Sequence, residues 1–176
     1  MIRTGLLVAL LLAGCGTTTR LTVGPTYDTN DRIGVAVRVS RGWASPPTRS
    51  LESPSAFSLV GTAMAEAGQE PARGTVSLRG GVLSLPSSLD DGWVVRVEGG
   101  VGFRLTQKRR GGVLGFGLAA VRRGGEILSS PALWGAEVHC DHHGVFGQRA
   151  GAAGQCGLGL ALETLNIPRP RGRPVR

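Results

Sequence analysis

No apolar run in this chain is long enough to cross a bilayer as a helix. The greasiest stretch, Leu6 to Leu12, falls far short of the ~20 residues a spanning helix needs. Aromatic residues are also scarce, at 5 % of the chain. That leaves little for stacking on nucleic-acid bases, so the formal charge of +8 is a poor argument for a nucleic-acid partner. Lysine is nearly missing: Lys108 stands alone among 20 basic residues, a bias that reflects base composition better than function. No serine sits in a Gly-x-Ser-x-Gly elbow, which removes the commonest signature of a serine hydrolase. The glycine-rich spots around Gly99–Gly102 and Gly112–Gly117 lie inside strand-like runs, whereas a phosphate loop needs a strand-to-helix turn. Nothing here points to an enzyme. What the chain does have is glycine, 29 residues of it without a collagen repeat, as expected for strands with one crowded face.

The N-terminus reads as an export leader. Arg3 supplies its positive charge, Leu6 to Leu12 its short apolar segment, and Ala13 and Gly14 the small residues before a cleavage point. Cys15 follows at once, then a polar run from Thr17 to Arg20. Leu12, Ala13, Gly14 and Cys15 together resemble the lipobox of bacterial lipoproteins; the mature domain resembles no family. The resemblance implies cleavage before Cys15, a diacylglycerol on its sulfur and a further acyl chain such as palmitate on its amine. Gly16 after the cysteine implies the outer membrane of a Gram-negative cell. On this reading residues 1–14 are the signal, 15–20 a lipidated tether, 21–165 the folded domain and 166–176 an Arg/Pro tail. The tail holds Arg169, Arg171, Arg173 and Arg176, which leaves only +3 on the body between leader and tail. It is extended and solvated, with anionic lipid, peptidoglycan or another envelope protein as partners it could touch.

The body is patterned in twos. Ile33, Val35, Val37 and Val39 alternate with Gly34, Ala36, Arg38 and Ser40. Trp93, Val95, Val97, Val101 and Phe103 alternate with Arg96, Glu98, Gly100, Gly102 and Arg104. The stretches Leu114–Ala120, Ala132–Cys140 and Cys156–Leu162 repeat the design. Such alternation means strands with two unlike faces, and the short polar links between them mean antiparallel hairpins. A weaker strand spans Thr75–Leu85, with a bulge expected at Gly80-Gly81. Residues 54–67 are ambiguous. Ser53 and Pro54 could open a short helix that Gly68 ends, or a strand could run through Phe57–Val60. The fold class is therefore mainly β: an antiparallel meander of seven or eight strands, forming a small barrel, with or without that helix.

Two barrels fit the alternation. A water-soluble one turns Val, Leu and Phe inward. A membrane one turns them to lipid and packs Gly, Ala, Arg and Glu inside. Glycine on the polar face favours the second. Thin aromatic girdles, loops of irregular length and a chain already held by acyl groups favour a lipid-anchored domain. The reading taken from the sequence is accordingly an outer-membrane lipoprotein with a non-enzymatic structural or binding role. An integral small barrel, a lipocalin-like carrier and a metal-dependent envelope enzyme follow in that order.

Three sets of residues stand out. Cys140 and Cys156 lie equidistant from Gln148, so a hairpin centred there puts them opposite one another, and an oxidising compartment would join them. Of the potential ligands His139, Cys140, Asp141, His142 and His143, it is His139, Asp141 and His143 that share a strand face and form the candidate zinc or copper site, although steps of ~6.6 Å along a strand hold His139 and His143 too far apart unless the chain bends. Arg38, Arg96, Glu98, Arg104, Glu137 and Glu163 share the polar face and would pair as ions inside a narrow barrel. No cofactor is expected apart from the covalent lipid on Cys15.

Overall fold

The computed structural model describes residues 16–29, 32–45, 47, 54–67, 73–86, 92–106, 110–127, 130–143 and 153–166. The leader, Cys15 and the Arg/Pro tail lie outside the described residues. Eight antiparallel strands close into one barrel in chain order. They are β1 (Gly16–Asp28), β2 (Ile33–Ala44), β3 (Ser55–Ala67), β4 (Arg73–Ser84), β5 (Trp93–Thr106), β6 (Arg110–Ile127), β7 (Ser130–His143) and β8 (Ala153–Asn166).

Several expectations need correcting. Residues 16–20 are the first turn of the wall and not a tether, since β1 begins at Gly16 and buries Thr18 and Arg20. The stretch 54–67 is strand β3, so there is no helix among the described residues. Gly80 and Gly81 pair in continuous register with both neighbours. The bulge lies instead in β6, between Arg123 and Gly125, where Gly125 adopts φ 147°. Only glycine enters that region without strain, so the Arg122–Glu126 segment bends and continues pairing with β7.

Register fixes the shape. A row of partners leaving Thr17 passes through Trp43, Leu59, Gly80, Gly99, Phe116, Cys140 and Cys156 and returns to β1 at Tyr27, ten residues further along. With a rise of ~3.3 Å per residue and strands ~4.8 Å apart, that stagger tilts the strands by about 40°. It leaves an interior just wide enough for side chains to fill. The β1–β8 ladder is interrupted at Gly24 and Pro25, and proline has no N–H to donate.

The two faces have opposite chemistry. Val35, Val37, Val97, Leu118, Val138 and Leu160 point out, Leu160 with 77 % of its surface exposed. Arg20, Arg38, Arg79, Arg96, Glu98, Glu137 and Glu163 point in and are essentially fully buried. Of the two barrels the alternation allows, this is the inside-out one. The aromatic residues, few as they are, are placed economically. Tyr27, Trp43, Phe57, Trp93, Phe103, Phe116 and Trp134 all face outward. Once the tilt is taken into account, Trp43, Phe57, Trp93 and Trp134 fall near one level, at the end where both chain termini emerge. Tyr27 and Phe103 fall at another, roughly 20–25 Å away along the axis.

Candidate functional site

The candidate site is the lumen. At the end carrying the termini it is closed by an apolar layer that includes Leu83, Val94, Val121, Leu133 and Leu165. Each comes from near a strand end, and further along β4, β5, β7 and β8 the inward residues include charged ones.

Above that layer runs a connected file of ion pairs. Glu98 bonds Arg20; Arg20 Nε lies 3.0 Å from Glu137; Glu137 accepts from Arg38 at 2.8 Å; Arg38 and Arg79 flank Asp141 at 3.4 and 2.6 Å. Arg96 and Glu163 form a separate pair nearer the apolar layer. Further towards the opposite end, Arg104 lies 3.8 Å from Glu66 and donates to Gln155 Oε1 at 3.2 Å. The file draws on β5, β1, β7, β2 and β4, so each pair ties distant parts of the wall together. Three threonines of β1, spaced by four, each donate to a different glutamate: Thr18 to Glu163, Thr22 to Glu137 and Thr26 to Glu66, at 2.7, 2.8 and 2.7 Å. A buried carboxylate with two or three donors meets the condition for a charge to persist out of water.

Glycine makes room for this network. A Cβ at Gly115 would lie 2.5 Å from Asp141 Oδ1 and 2.6 Å from Arg79 Nη2, so any side chain there would displace the Arg79–Asp141 pair.

Arg38, Arg96, Glu98, Arg104, Glu137 and Glu163 share one face, as their parity requires; that face is the inner one, and all belong to ion pairs. Three further members went unread: Arg20, hidden in the supposed tether; Glu66, in the ambiguous stretch; and Arg79, in the weakest strand. The signal for Arg20 was present in Thr18-Thr19-Arg20-Leu21-Thr22-Val23, where polar residues already alternate with the apolar run that follows.

The metal expectation does not survive. His139, Asp141 and His143 do share the inner face of β7. However, Asp141 is taken by two guanidinium groups, and among the described residues no three His, Cys, Asp or Glu side chains gather to hold an ion. Asp141 is a member of the ion-pair file. The ring nitrogens of His139, buried beside it, have no hydrogen-bond partner among the described residues.

The cysteines behave as expected. Cys140 and Cys156 are direct partners on β7 and β8, with Cα atoms 4.1 Å apart, and are joined by a disulfide. Both face outward, between Phe116 on β6 and Tyr27 on β1.

No known family model and no curated protein matches the chain. Among solved structures, it is similar to the crystal structure of the outer membrane enzyme PagL, with a TM-score of 0.54 and 10 % identity over 85 % of this chain and 99 % of that one. A de novo designed transmembrane β-barrel aligns with a TM-score of 0.40 and 14 % identity over 83 % of this chain and 94 % of the other. At such an identity the likeness to PagL is one of fold alone.

Proposed function

We propose that this chain is an integral outer-membrane β-barrel with a filled, non-conducting lumen, acting as a structural or binding component of the envelope without catalysis of its own. The observation that carries the reading is the polarity of the wall. Between the apolar seal and the far end, most valines and leucines and every described aromatic side chain face out, while Arg20, Arg38, Arg79, Arg96, Glu98, Glu137, Asp141 and Glu163 face in. In water such a wall would expose far more contiguous apolar surface than a soluble monomer tolerates. In a bilayer it presents an apolar band near the ~25 Å that outer-membrane barrels show, bounded by aromatic residues. The integral barrel thus replaces the soluble lipid-anchored domain as the better supported reading. A lipocalin-like carrier is disfavoured because its cavity would have to occupy the space that the ion pairs fill.

The lipid on Cys15 remains part of the proposal. Cys15 immediately precedes the first residue of β1, so acyl chains there would enter the leaflet beside the wall and supplement the barrel's own anchorage. Intact mass of the mature N-terminal peptide tests it: an acylated Cys15 is expected, and an unmodified thiol overturns it.

Insertion is tested by diluting urea-unfolded protein into plain buffer, detergent micelles or phosphatidylcholine vesicles. Folding only with micelles or vesicles, with gel mobility that changes on boiling, is expected. A soluble, folded monomer in plain buffer overturns the reading.

A further inference from the structure

The outer wall holds a basic residue where hydrocarbon should end. On one row of partners Trp93 pairs with Arg122 and Arg122 with Trp134, so a guanidinium stands between two indoles on adjacent strands. All three side chains are exposed, the tryptophans by 55 % and 53 %. The bulge just beyond lets the Trp134 ring lie against β6: a Cβ at Gly124 would fall 2.4 Å from its Cδ1. The nearest acid in sequence, Glu126, is paired with Arg123 at 3.0 Å and is not available to Arg122. Arg41, also exposed, lies on the outer face two residues before Trp43. The connections at this end add Arg49 against Glu52, Asp90 and Asp91, and four arginines lie among the residues that follow Asn166. The acids of the connections offset the arginines of the wall, so the excess of positive charge in this part of the sequence lies in the tail.

A guanidinium at the boundary between hydrocarbon and water needs an anion. It prefers a planar, multidentate one, which phosphate supplies. Indoles settle at headgroup depth, where their N–H groups find polar partners. We propose that Arg122, between Trp93 and Trp134, seats the phosphate-bearing headgroup of an anionic phospholipid, in the leaflet at the end that carries both termini. This rests on the membrane-embedded reading. One basic residue at a membrane surface should favour an anionic over a zwitterionic lipid by about three- to fivefold.

The three tryptophans all sit at this level and supply the probe. The full mature chain is folded into phosphatidylcholine vesicles containing rising fractions of phosphatidylglycerol with brominated acyl chains. Quenching of tryptophan fluorescence then gives the relative affinity of the two lipids for this part of the wall. A three- to fivefold preference for phosphatidylglycerol is expected, falling towards one in Arg122→Gln and largely kept in Arg122→Lys. A native ratio near one overturns the proposal. So does a preference unchanged in Arg122→Gln but lost when the four tail arginines become glutamine, because the tail would then hold the lipid. Boiling-dependent gel mobility, read on the same samples, reports insertion itself; its loss would sink the membrane reading rather than the lipid preference alone.

Discussion

At the scale of single residues, position in the wall decides what each charge is worth. Asp141 is buried between Arg38 and Arg79, so replacing it by alanine takes the acidic partner from Arg79 and leaves Arg38 only Glu137. Removing one partner from a buried ionic group costs about 3–5 kcal/mol. Asp141→Ala should lose about that much, measured by urea unfolding in vesicles. Arg104 lies 3.8 Å from Glu66, keeps some exposure and leaves Glu66 its bond from Thr26, so Arg104→Gln should cost less than Asp141→Ala. Equal losses for the two would show that the file of ion pairs does not act as a connected unit. The disulfide is a different kind of residue-scale bond. It closes a loop of sequence separation 16, which corresponds to about 3 kcal/mol of chain entropy in the unfolded state. The double variant Cys140→Ser/Cys156→Ser should fold to the same barrel and lose about that amount. Since both cysteines face outward just inside the level of Tyr27, a charged water-soluble phosphine should reduce the native bond much more slowly in vesicles than in urea. Maleimide labelling of the freed thiols checks this, and equal rates would place the bond in water.

At the scale of strands, what matters is whether the outer face is uniform. Leu160 lies near mid-height between the two aromatic levels, while Ile33 lies beyond Tyr27. Leu160→Arg should cost about 2–4 kcal/mol in vesicle-folded protein, and Ile33→Arg about 0–1. A soluble barrel would tolerate both alike. The same two-faced logic explains which strands could be read from sequence. In β2 and β5 valines and tryptophans oppose arginines and glutamates, and the contrast is plain. In β3 the outer positions Gly61, Ala63 and Ala65 are small, and the inner ones are Thr62, Met64 and Glu66. With so little contrast, a helix fits as well as a strand, and burial in the closed wall settles what local preference does not. β1 begins with outward Thr17 and Thr19, which are not apolar, so its first residues resemble a tether. Parity therefore told which charges share a face, as for Glu137 and Glu163, but not that this face is the inner one. It could not tell their partners: Thr18 and Glu163 are 145 residues apart in sequence and meet only because the barrel closes.

At the scale of the whole molecule, closure and filling have one functional consequence. Eight strands with a stagger of ten residues enclose a lumen only about 8 Å in backbone radius. Four fully buried arginines and their carboxylates occupy its middle, and leucines and valines seal the end beside the termini. Ions would have to pass both the charged file and the apolar layer. The barrel inserted into a planar bilayer should therefore show no stepwise conductance. Removing bulk from the seal alone, as in Leu83→Ala with Leu133→Ala, should lower stability by about 2–5 kcal/mol per residue without creating a pore, because the ion pairs still block the bore. Combining that change with Arg96→Ala and Glu163→Ala removes the ion pair next to the seal as well and shortens the remaining plug. If conductance appears only in this combined variant, the seal and the adjoining pair act as barriers in series. If the native protein conducts, the lumen is more open than its packing implies, and the barrel would have to be understood as a channel.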